Sequence, residues 1–68
     1  MANEAIKDKD YDLVSVIYNA ARGAEICRQY MEDAQKDGDN DAAQYFKDVR
    51  EQNQGIVQKG KQLLKSRL

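Results

Sequence analysis

The hydrophobic pattern divides the chain into two segments of one period. Apolar or small residues stand at Leu13, Ile17, Ala20, Ala24, Cys27, Met31 and Ala34, alternately four and three residues apart. The same alternation returns at Ala42, Phe46, Val49, Asn53, Ile56, Gly60 and Leu63. Spacing of this kind keeps one stripe of an α-helix turned to a single neighbour, so each segment reads as a helix with a heptad seam. Between them, Lys36-Asp37-Gly38-Asp39-Asn40-Asp41 is the one dense turn signal, and no proline interrupts either side.

End signals agree with this division. Asp10, or Asp8, can cap a first helix over about residues 11–37, and Gly38 suits the left-handed position that ends it. Asp39 or Asn40 can cap a second helix over about 41–66, with Asp41 at its positive dipole end and Lys61, Lys65 and Arg67 at its negative end. The expected organisation is a frayed segment 1–9 followed by a helical hairpin 10–68 with its turn at 38–40. So short a turn forces the helices antiparallel, pairing Ile17 with Gly60, Ala20 with Ile56 and Leu13 with Leu63.

The apolar stripe is wider than one partner needs. Val14, Ala21 and Val16, Gly23, Tyr30 widen it on the first helix; Ala43, Val57, Leu64 and Tyr45 widen it on the second. A helix that touches two neighbours uses such breadth, so the expected fold is all-α: a hairpin that dimerises into a four-helix bundle. Val14, Val16, Ala21, Tyr30, Tyr45, Val57 and Leu64 are the candidate dimer face. Size points the same way, because 68 residues supply only twelve Ile, Leu and Val and one Phe as large core material.

Composition narrows the chemistry. The chain has no His, no Trp and one Cys, so imidazole catalysis, a Cys/His zinc cluster and an intrachain disulfide are excluded. The longest uncharged run, residues 13–21, falls far short of the roughly 20 apolar residues that span a bilayer. The first residues lack a signal-peptide core, and a reducing cytoplasm is the expected location, with Cys27 a small buried hydrophobe.

Tyr30, Ala34, Gly38, Ala43, Phe46 and Val57 resemble one half of a rubrerythrin or ferritin-like carboxylate bundle over residues 10–66. In that family each hairpin gives one Glu from its first helix and a Glu-x-x-His pair from its second. With Gly38 and Phe46 set on the family's glycine and phenylalanine, the resemblance places those ligands at Ala20, Asn53 and Ile56. Alanine and isoleucine have no donor atom, and asparagine is a weak neutral ligand. The resemblance therefore implies the hairpin without the usual dinuclear site. An altered carboxylate site, built from Glu25, Glu32 or Asp33 across a dimer, is the alternative it leaves.

Other chemistry is weaker still. Asp37, Asp39, Asp41 and Asp48 imitate calcium-loop spacing, but Ala42 stands where that loop needs glycine and Asp48 is shorter than the usual glutamate. Residues 1–41 hold ten acidic against five basic groups, and residues 42–68 two against six. Antiparallel packing would lay the basic tail beside Asp8, Asp10 and Asp12, so internal compensation explains it without nucleic acid. Asn53 is expected to fix register, pairing with its symmetry mate. Tyr11, Tyr18, Glu25 and Glu32 recur every seventh residue on a flank, where tyrosines suit a contact edge. The functional expectation is a non-enzymatic structural or interaction module: a homodimer, with an unidentified protein as a further possible partner, and no cofactor, metal, catalytic residue, membrane or nucleic acid.

Overall fold

The computed structural model describes residues 8–67, which form two helices, α1 at Asp8–Lys36 and α2 at Asn40–Arg67. They pack along their whole length as an antiparallel hairpin, and among the described residues there is no strand. Of the expected frayed segment, residues 1–7 lie outside the described residues, while Asp8 and Lys9 are already helical.

The turn is closed by backbone chemistry. Gly38 has φ 75°, the left-handed conformation that costs a side-chain-bearing residue about 1–2 kcal/mol. It lets the Gly38 and Asp39 amides donate to the Gln35 and Ala34 carbonyls at 3.1 and 2.9 Å, satisfying the end of α1. Asp39 then begins α2: its Oδ1 accepts from the Ala42 amide at 3.0 Å, and its carbonyl accepts from Ala43. One aspartate thus closes the first helix and caps the second. That use accounts for Asp39 without a calcium loop.

The opposite end corrects one of the two expected caps, Asp10, while the other, Asp8, is the first described residue of α1. Asp10 lies inside α1 with its side chain 12% exposed, and its Oδ1 stands 3.6 Å from Arg67 Nη1 at the end of α2. The distance is an ion pair without a hydrogen bond. Here the basic tail does meet an acidic residue of α1.

Between the ends, the contact is made of small side chains. The buried apolar residues are Ala20, Ala24, Cys27 and Ala34 of α1 and Ala43 of α2. Gly60 faces Ile17 so closely that a Cβ built on it would stand 2.5 Å from Ile17 Cγ1. One level nearer the turn, a Cβ on Gly23 would stand 2.9 Å from Asn53 Nδ2. Small residues therefore bring the two backbones close, while Ile17, Phe46 and Asn53 fill the remaining space only half-buried.

The seam of α2 differs from the expected one. Ala42, Phe46, Val49, Asn53 and Gly60 are half-buried, but Ile56 and Leu63 are each 43% exposed. Ala43 is buried and Arg50, Val57 and Leu64 are half-buried in their place. A straight helix drifts about 20° per heptad against a strict seven-residue repeat. Over three heptads that drift turns the Ile56–Leu63 edge outward and the Val57–Leu64 edge inward toward the open end, while near the turn Ala43 is buried and Ala42 half-buried.

Candidate interaction surface

The drift gives the hairpin two unlike broad faces. Heptad geometry places Val16, Gly23, Ile26 and Tyr30 of α1 on the same face as Tyr45, Val49, Ile56 and Leu63 of α2. Near the turn, the Phe46 ring joins the two helices on this face. Its centroid lies 5.5 Å from that of Tyr30 and 5.8 Å from that of Tyr45, both at tilted or edge-on angles favourable to aromatic rings. A shallow depression beside them is lined by Tyr30, Asp33, Ala34, Ala42 and Phe46. Tyr45 is 65% exposed, Val16 54% and Tyr30 49%, so the face carries large apolar groups from one end to the other. Charged residues border it, among them Asp33, Lys36, Asp37 and Asp39 around the depression.

The reverse face is polar along its middle. Arg28 donates from Nη2 to Glu25 Oε2 at 2.6 Å and from Nη1 to Glu32 Oε2 at 2.8 Å. Arg50 of α2 lies on the same side, where Glu25, Arg50, Gln54 and Gln58 line a second depression. The hydrogen bond from Arg28, then its charge, holds the Glu25 carboxyl below its ordinary value of 4.5, with a smaller contribution from Arg50. A lowered folded-state value means that this pair favours the helix above the ordinary carboxylate range and that the contribution fades as pH falls through the lowered value. Glu25 is solvated, so the effect belongs to its titration more than to folding. Carbon-detected NMR of the Glu25 carboxyl should give a midpoint below 4.5 that returns toward 4.5 in Arg28→Ala; an unchanged midpoint would contradict the pairing.

Of the expected dimer-face residues, Val16, Tyr30 and Tyr45 fall on the aromatic face and are exposed. Val14 and Ala21 are exposed on the reverse face, as are Tyr11 and Tyr18. Val57 and Leu64, also expected on that face, are half-buried and more covered than Ile56 and Leu63, which are each 43% exposed. Their signal was present in the sequence as the second apolar edge of α2, but both edges carry Ala, Val or Leu, and residue type alone does not choose between them.

No carboxylate site is assembled within the hairpin. Glu25 and Glu32 are tied to Arg28 on the reverse face, while Asp33 lines the depression beside Phe46, and among the described residues no three His, Cys, Asp or Glu side chains group around a cation position. At the positions the ferritin-like resemblance assigns to ligands, Ala20 is buried, Asn53 lies against Gly23 and Ile56 faces outward. Cys27 is a buried free thiol. No described helix is long and apolar enough to cross a membrane. Compared with family models, curated proteins and solved structures, the chain matches none.

Proposed function

We propose that the chain is a non-enzymatic helical interaction module that acts as a homodimer, the aromatic face of each hairpin forming the contact. One observation carries this reading: the buried apolar side chains are four alanines and one cysteine, while Tyr30, Tyr45, Ile56 and Leu63 remain in water. Burying alanine contributes far less than burying leucine or an aromatic ring, at about 25 cal/mol per Å². A second hairpin laid on the aromatic face supplies the missing large-residue core.

Concentration is the test. Native mass spectrometry and sedimentation at micromolar chain concentration should show a species of twice the 7.8 kDa chain mass, with a melting temperature that rises as the chain is concentrated. A monomer at all concentrations would end the proposal. The alternative implied by the resemblance, a ferritin-like metal-binding bundle with an altered carboxylate site, requires carboxylates free to converge between chains. Glu25 and Glu32 have Arg28 as their partner instead, which leaves only Asp33 of that set on the aromatic face, and stoichiometric retained metal in the same spectrum would reverse the preference.

A further inference from the structure

Four large apolar groups of the aromatic face, Val16, Tyr30, Tyr45 and Leu63, are disposed symmetrically about the middle of the hairpin, while Ile26, Val49 and Ile56 have no large apolar counterpart there. In α1, Val16 and Tyr30 each lie seven residues from Gly23; in α2, Tyr45 and Leu63 each lie nine residues from Gln54. The two centres are at nearly one level, because Gly23 packs against Asn53. One two-fold axis perpendicular to the helices therefore serves both. It sets Val16 against the partner's Tyr30 and Tyr45 against the partner's Leu63, an aliphatic group meeting an aromatic ring each time.

We infer that two copies pair antiparallel through this face, about a two-fold axis beside Gly23, giving a bundle in which every adjacent pair of helices is antiparallel. The inference rests on the homodimer reading and adds its geometry. Gly23 presents no side chain where the two α1 helices cross the axis, so they can approach closely there.

Charge selects this orientation over the parallel one. Around the turn, residues 30–48 hold six carboxylates against two lysines; at the open end, residues 8–15 and 59–67 hold five cations against three carboxylates. Antiparallel stacking brings unlike ends together, and parallel stacking brings like ends together. By register, Asp48 meets the partner's Lys59, Asp37 meets the partner's Lys9, and Asp41 meets the partner's Arg67, which also pairs with Asp10 of its own hairpin at 3.6 Å. Asp12 with the partner's Asp33 is the one unfavourable pair, and the three favourable ones outnumber it. Area is also adequate. Two helices side by side, roughly 40 Å long and about 20 Å across, present on the order of 800 Å² per copy, as much as each partner contributes to a specific interface.

Single-cysteine chains in a Cys27→Ala background test the arrangement. Under mild oxidation, Tyr45→Cys mixed with Leu63→Cys should give the mixed disulfide dimer in roughly tenfold excess over either self-linked product. Cross-linking of Tyr45→Cys to Tyr30→Cys chains instead would show a parallel dimer and overturn this geometry while leaving the homodimer standing. A monomeric mass would remove both. Gly23→Ala gives an independent reading, since its new methyl group meets only the movable end of Asn53 within the hairpin but stands on the proposed axis. Its dimer dissociation constant should rise at least tenfold with helical circular dichroism retained; an unchanged constant would overturn the axis position.

Discussion

Replacing Gly60 with valine should remove roughly a quarter, and at most about half, of the hairpin's stability. The first atom of any side chain at this position enters the space of Ile17 Cγ1, 2.5 Å away, and Ile17 is β-branched on a helix, with little rotamer freedom to retreat. Overpacking of this kind costs about 1–3 kcal/mol, and a residue leaving glycine in a helix interior recovers only about 0.5–1 kcal/mol. Against a stability of about 5 kcal/mol, expected for so small a unit, the net loss is large. The effect should be specific to the contact. Ile17→Ala removes the obstructing atoms, so Gly60→Val should cost much less in that background, with a coupling of about 1–2 kcal/mol in chemical denaturation. Additive losses would mean that Gly60 is needed for some reason other than Ile17. Gly55 supplies the control: nothing lies within 4 Å of a Cβ built there, so Gly55→Ala should stabilise α2 by about 1 kcal/mol.

Gly60 also shows which parts of the fold can be read from residue order. Its pairing with Ile17 follows from the turn at Gly38 and the shared period alone, because a tight turn fixes which levels of two antiparallel helices meet. The turn itself is local chemistry: one glycine with positive φ and one aspartate, each required by backbone groups a few residues away. Rotation of α2 about its axis is not local. Ala42, Val49, Ile56 and Leu63 form one apolar edge and Ala43, Val57 and Leu64 another, and the gradual drift of a straight helix decides which edge turns inward at each level. A strict seven-residue count keeps Ile56 and Leu63 inside all the way along. The misplaced cap at Asp10 has a similar origin, since aspartate suits a helix end but also suits pairing with Arg67 across the hairpin. The candidate surface was legible as surplus apolar width, and its membership required the rotation.

Ile56→Glu and Val57→Glu, adjacent in sequence, should therefore fail in different ways. Val57 is half-buried between α1 and α2, so a carboxylate there must be desolvated within the single hairpin. Its helical signal should fall at every chain concentration. Ile56 is 43% exposed in the hairpin, and glutamate is a good helix former, so each isolated chain should fold nearly as before. Its cost appears on association. Close to the two-fold axis the substitution acts twice, replacing apolar contact with charge on both copies and bringing two carboxylates within roughly 6 Å along the helix direction. Losses of about 1.5–2 kcal/mol per copy give about 3–4 kcal/mol for the pair, a rise in dissociation constant of several hundredfold. Sedimentation should then show monomer where the parent is dimer, and the concentration dependence of melting should vanish. Tyr18→Glu, on the reverse face, should leave the dimer intact. Equal behaviour of Ile56→Glu and Tyr18→Glu would place the contact elsewhere, whereas equal behaviour of Ile56→Glu and Val57→Glu would mean that the hairpin and the dimer fold as one step.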